Sequence, residues 1–198
     1  MEEHERRYYD LRAPEYDDWY RGAGVHAERD RPGWRDETRA LEALVASLEA
    51  GRVLDAACGT AFLTRHLRGE VTGLDQSASM LAVARGRCPD VRFVQGDALA
   101  TPFDDRSFDL VFSAHFYGHL RARARDRFLR EAQRLAPRLV VVDSARRADT
   151  PAEGLDERIL SDGSRHTVYK RYFEPAALAA ELGGEIVFAG RWYVAAAA

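Results

Sequence analysis

Short apolar runs and helix-spaced apolar positions take turns along most of this chain. Runs at 52–55, 71–75, 91–95, 108–113 and 138–143 read as strands, with helices over 61–68, 77–86 and 121–135 between them. Such alternation predicts an α/β fold with a mostly parallel, doubly wound sheet. Ahead of it, residues 37–50 repeat apolar positions at helical spacing through Leu41, Leu44, Val45 and Leu48, until Gly51 stops them. Residues 1–36 set Tyr8, Tyr9, Tyr16, Trp19, Tyr20 and Trp34 among charges with little strand character. They predict an N-terminal helical cap that belongs to the same domain as residues 37–198. Pro102 and Asp104-Asp105 mark 97–107 as a long loop. Beyond Asp143 the chain reads as irregular and charged to about Lys170. A helix over 175–182 and two β runs, 185–189 and 191–196, turn about Gly190 at the end.

Composition narrows the setting. A chain of 198 residues suits one domain with a substantial core. It holds no apolar run of 18 residues, and its charged start, Met1-Glu2-Glu3-His4-Glu5, reads as no signal peptide. Cys58 and Cys88 show neither metal-ligand spacing nor a disulfide framework, which fits a reducing cytoplasm. A formal net charge of −3 gives no electrostatic case for nucleic acid or an anionic membrane. Lys170 is the only lysine, so arginine carries nearly all the positive charge, a bias that reads as compositional.

The chemistry concentrates in Val53-Leu54-Asp55-Ala56-Ala57-Cys58-Gly59-Thr60-Ala61, where an apolar strand ends on a carboxylate and turns through small residues. Asp75 closes the next strand 20 residues later, the spacing of one strand–helix–strand unit. A strand-end carboxylate there can accept two hydrogen bonds from a ribose diol. The pattern proposes a nucleoside-bearing cofactor across the ends of two parallel strands. A dinucleotide needs three spaced glycines for its pyrophosphate, whereas this turn offers Gly59 alone and aims Asp55 at the phosphates. A ligand with a positive centre suits Asp55 better, and S-adenosylmethionine carries an ammonium and a sulfonium.

These residues resemble motif I of the class I S-adenosylmethionine-dependent methyltransferases, hydrophobic-Leu-Asp-x-Gly-x-Gly-x-Gly, with Ala57 and Ala61 at two of the glycine positions. The resemblance implies a seven-stranded sheet of order 3-2-1-4-5-7-6 with its last strand antiparallel. It implies that Asp55 faces the methionine ammonium, directly or through water, and that Ala57 and Gly59 bring backbone to the cofactor. Asp75 would hold the ribose, with Gln76 and Met80 flanking the adenine. Asp97, which follows the third strand in Gln95-Gly96-Asp97-Ala98, would accept from the adenine amino group, and the Ala98 N–H would donate to the ring.

The fourth strand runs into Ala114-His115-Phe116-Tyr117-Gly118-His119, where the family places residues facing the methyl group. His115 and His119, four apart, could share a face of a short helix. They are the candidate catalytic bases, and His115 is also a candidate cofactor contact. A general base among them would give a pH–rate limb near 6–7. No Asn/Asp-Pro-Pro-aromatic sequence is present, which argues against methylation of nucleic-acid bases; Cys88-Pro89 precedes the third strand and is a decoy for a cytosine nucleophile. No acid or histidine spacing suits Mg²⁺ or Zn²⁺. The arginines of 121–127 alternate by two and read as a solvated helix. Tyr8-Tyr9-Asp10-Leu11-Arg12-Ala13-Pro14-Glu15-Tyr16-Asp17 resembles the entry of the ubiquinone and menaquinone biosynthesis methyltransferases, in which Tyr16 matches a tyrosine closing over the cofactor. Residues 162–173 resemble the approach to the last helix in bacterial relatives, and with 1–36 would roof the pocket. The expected activity moves the methyl of S-adenosylmethionine to an O, N or C atom of a small organic acceptor, leaving S-adenosylhomocysteine (SAH). The alternatives are a methyltransferase-like regulator or cyclase-like protein that binds the cofactor without transfer, and a nicotinamide oxidoreductase.

Overall fold

The structure is a computed structural model that describes residues 3–198; Met1 and Glu2, within the expected cap, lie outside the described residues. Strand β1 (Arg52–Ala56) pairs in parallel with β2 (Glu70–Asp75) on one side and β4 (Leu110–Ala114) on the other. Beyond β2 lies β3 (Arg92–Gln95), and beyond β4 lies β5 (Leu139–Ser144), both parallel. The chain therefore leaves β1 in opposite directions on its two sides. The strand ends there form a crevice, the topological switch point at which open α/β sheets bind ligands.

The crossovers are helices α4 (Ala78–Arg87) and α5 (Ala122–Leu135), with α3 (Trp34–Ser47) ahead of β1. Successive strand residues point to opposite faces. Leu54, Val111 and Val141 join Phe128 and Leu135 of α5 in one core, while Val53, Leu110, Phe112, Val140 and Val142 join Leu41 and Val45 of α3 in the other.

Two expectations need correction. Residues 61–68 form a 3₁₀ turn at Thr64–His66 instead of an α-helix. The segment starts from Ala61 at a left-handed φ of 60°, and Thr64 donates its hydroxyl to Asp55 at 2.6 Å, so side-chain bonds compete with helix formation. Residues 153–171, read as irregular, form an antiparallel hairpin of β6 (Glu153–Ile159) and β7 (Arg165–Arg171) apart from the main sheet. Charges on both faces hide its alternation, with Glu157 paired to Arg165 at 2.7 Å.

After α6 (Pro175–Leu182), β8 (Glu185–Ala189) and β9 (Tyr193–Ala197) complete the sheet, β9 running antiparallel between β5 and β8. The order is β3-β2-β1-β4-β5-β9-β8, which is 3-2-1-4-5-7-6 when the sheet's own strands are counted. The carboxylate of Glu37 in α3 accepts from the N–H groups of Arg191, Trp192 and Tyr193 at 2.7–3.0 Å and fixes where β9 begins. The N-terminal helices α1 (Glu3–Arg12) and α2 (Asp18–Arg21) bring Tyr9 and Tyr20 to the strand ends. Among the described residues no helix is long and apolar enough to cross a membrane.

Candidate active site

The turn after β1 sets the geometry. Ala57, Gly59 and Ala61 all adopt positive φ, 64°, 54° and 60°, so the two alanines hold the conformation of the glycines they replace. That costs roughly 1–2 kcal/mol per alanine. The Asp75 carboxylate, at the end of β2, accepts from the Gly59 and Ser77 N–H groups, each at 2.9 Å, and so binds the turn to the neighbouring strand. Burial raises the pKa of Asp75 against the lowering effect of these donors.

Tyr16, Ala57, Gly59, Asp75, Gln76, Met80, Ala98 and His115 line one crevice at the strand ends. Ser77 caps α4 by accepting from the Met80 N–H at 3.1 Å, which places Met80 at the crevice wall while its side chain packs in the core. Asp55 sits behind this wall in a small void shared with Tyr16, Ala57 and Ala114. Its Oδ2 accepts from Thr64, whereas Oδ1 is buried with no partner, and burial pushes its pKa up to about 7. Asp97 also lies outside the crevice. It opens onto an adjoining cavity that shares Tyr9, Gln76 and Phe116 with the crevice, and it accepts from the Leu99 N–H at 2.9 Å.

A larger cavity of about 470 Å³ shares Tyr9, Tyr16 and His115 with the crevice, and His119 lines it too. The histidines do not share a helix face: His115 takes a φ of 56° at the end of β4, and His119 ends the 3₁₀ turn Tyr117–His119. His115 lies edge-on to Tyr20 and Tyr193 with Nε2 buried and unpartnered, and burial holds its pKa down to about 4. His119 sets Nδ1 2.7 Å from the Tyr169 carbonyl, and burial holds its pKa well below the usual histidine range. A limb near 6–7 therefore belongs to neither ring; both are neutral across that range.

Several wall residues escaped the sequence reading. Tyr9 lines both cavities, and its spacing of seven from Tyr16, two helical turns, is the signal that could have found it. Lys170 is buried against Asp143, Nζ to Oδ1 at 2.5 Å. Asp143 also accepts from the Gly118 N–H at 2.7 Å, an approach that needs glycine, because a Cβ there would meet the Arg171 carbonyl at 2.7 Å. Burial would raise the Asp143 pKa, but Lys170 and His115 beside it hold it below the carboxylate range. The arginine run is not wholly solvated either. Arg125 is buried and donates to Glu181 and to the Leu120 carbonyl, each at 2.6 Å.

A family model described as a methyltransferase domain matches residues 53–137. Demethylmenaquinone methyltransferase of Thermotoga maritima is 40% identical over 110 residues, 53% of this chain and 46% of that protein. Phthiotriol/phenolphthiotriol dimycocerosates methyltransferase of Mycobacterium tuberculosis is 42% identical over 94 residues, 42% of this chain and 33% of that protein. The solved complex of DhpI with SAH is similar over 98% of this chain and 94% of its own, with a TM-score of 0.76 and 30% identity. The chain belongs to the class I S-adenosylmethionine-dependent methyltransferases. Members of the family among the curated relatives are longer, and the chain spans a third to about half of their length. A DhpI complex with SAM and HEP has the same TM-score of 0.76 at 28% identity, covering 100% of this chain and 98% of its own.

Proposed function

We propose that the protein transfers the methyl group of S-adenosylmethionine to a small organic acceptor and releases SAH. The observation that carries this reading is the meeting of two cavities at Tyr9, Tyr16 and His115, one lined by the Gly59 turn and Asp75, the other by the ends of β4 and β5 and the β6–β7 hairpin. The donor set fits the cofactor. Asp75 keeps lone pairs for a ribose diol, and the unpartnered Oδ1 of Asp55 suits an ammonium nearby. When bound, the cofactor supplies an electrophilic methyl on a sulfonium. The chain's part is then to orient the two ligands and exclude water. His115 and His119 are neutral walls of the acceptor side and orient the acceptor through their ring nitrogens.

Residues 1–36 act as a cap of the same domain as 37–198. Supporting this, Asp17 pairs with Arg87, Thr60 donates to Asp17 at 2.6 Å, and the Tyr16 ring lies over Gly59. Two free cysteines support a reducing cytoplasm as the compartment. SAH at 100 times its dissociation constant is expected to add about 2.7 kcal/mol of stability. Melting curves in SAM and SAH, followed by SAH release over a panel of small acceptors, test the reading. A melt unmoved by millimolar ligand overturns it.

A further inference from the structure

The chain carries a net charge of −3, yet the larger cavity gathers cations. Three of them have carboxylate partners: Arg147 with Asp149 at 3.3 Å, Arg158 with Asp156 at 3.0 Å and Lys170 with Asp143 at 2.5 Å. Four more, Arg12, Arg29, Arg31 and Arg191, also line it and have no carboxylate partner among the described residues. The acids in the lining are Asp149, engaged by Arg147, and Asp30. A surplus of more than one positive charge remains inside a concave wall.

Two of the unpaired guanidiniums are held in place by stacking. Arg31 lies over Trp34 at 4.0 Å and donates to the Trp19 carbonyl at 2.9 Å, and Arg12 lies over Tyr16 at 5.1 Å. Stacking fixes the guanidinium plane and leaves edge N–H groups for an oxyanion. Burial and the neighbouring Arg158 and Arg12 lower the pKa of Arg29, and burial with Arg29 beside it lowers that of Arg31. Like charges gathered without a counter-charge are unfavourable, and a dianion is the ligand that relieves them best.

We infer that the acceptor carries a small phosphate- or phosphonate-type dianion, which the unpaired Arg12, Arg29 and Arg31 hold beside the methyl-transfer site. This rests on the methyl-transfer reading, since the cavity takes an acceptor only if the crevice takes the cofactor. Guanidiniums give such an anion paired, directional hydrogen bonds, and a fixed anion orients the rest of the acceptor toward His115 and Tyr9.

The test titrates the full chain, saturated with SAH, with inorganic phosphate, acetate and chloride at equal ionic strength. Phosphate is expected to bind and the other two to bind at least tenfold more weakly. Arg29→Gln, at a solvent-exposed position on the cavity wall, is expected to weaken phosphate about tenfold and leave SAH affinity unchanged. Arg85→Gln, at an exposed position of α4, controls for net charge and is expected to leave phosphate binding as it was. In turnover, phosphate- or phosphonate-bearing acceptors are expected to release SAH faster than matched neutral esters. Phosphate no tighter than chloride on a chain that binds SAH overturns the inference and spares the methyl-transfer reading. Failure of SAH to bind overturns that reading and this inference with it. Tight binding of a short oligonucleotide with no response to free phosphate assigns the arginines to nucleic acid and overturns it too.

Discussion

The crevice and the cationic cavity meet at three side chains, yet they are built on opposite plans. Residues 57–98 and the exit of β4 furnish most of the crevice, where parallel strands stop, and Tyr9 and Tyr16 of the N-terminal segment close it. The cavity draws instead on Arg12, Arg29, Arg31, Arg147, Arg158 and Arg191, spread across the N-terminal segment, the stretch after β5, a hairpin outside the sheet and the start of β9. A repeated strand–helix unit delivers the first site as a by-product of the sheet. The second exists only once distant segments have packed. Divergence in what such an enzyme accepts can therefore proceed without touching the turn and strand ends.

That contrast can be broken by experiment. The largest effect belongs to Asp143→Ala, which leaves Lys170 charged and buried without its partner and removes the acceptor of the Gly118 N–H. Urea unfolding is expected to show a loss of about 3–5 kcal/mol. A loss under 1 kcal/mol would mean the cavity wall does not depend on this pair. Next comes Asp75→Ala, expected to weaken SAH about a hundredfold by calorimetry while inorganic phosphate binding stays within threefold. Loss of both together would show that the two sites are not separable.

A pH effect sharpens the crevice side. Asp55 stands at about 7 in the free chain, and an ammonium nearby would lower it in the complex. The complex then holds fewer protons than the free chain. SAH affinity is expected to rise with pH, by up to about tenfold per unit, until it levels near pH 7. Asp55→Asn should flatten that slope; a slope kept in the variant assigns the proton elsewhere. The smallest effect is His119→Gln. With its ring neutral and Nδ1 at the Tyr169 carbonyl, kcat is expected to fall less than about tenfold, and the parent's pH profile to stay flat between 6 and 8. A hundredfold fall in kcat would identify a base.

How far the sequence could be read follows from the same contrast. Val53 to Ala61, Asp75 and the apolar runs at 108–113 and 138–143 obey local rules, so a mostly parallel sheet could be read from them, while its strand order and most of the candidate cofactor residues followed from the family resemblance; eight of those ten residues line one crevice. Asp97 and Asp55 line two smaller cavities that share walls with it, Asp97 turned by a local bond to the Leu99 N–H and Asp55 by the Thr64 hydroxyl. The β6–β7 hairpin hid behind Glu157, Arg165 and their neighbours, although Asp162-Gly163, with Gly163 at a φ of 82°, signals its turn. No local pattern announces that Arg29 and Arg158 face one another, since 129 positions separate them in sequence.

The burial of Lys170 has a practical side. The chain has a single lysine, and it is 3% exposed, so the folded surface offers no lysine amine to acylating reagents. Lys170 is covered and held by Asp143, so a label arrives on it only when that ion pair opens. The rate of that acylation, followed by mass spectrometry on the native protein, becomes a clock for one defined opening. The reporter sits in the wall of the larger cavity and stays silent until that ion pair opens.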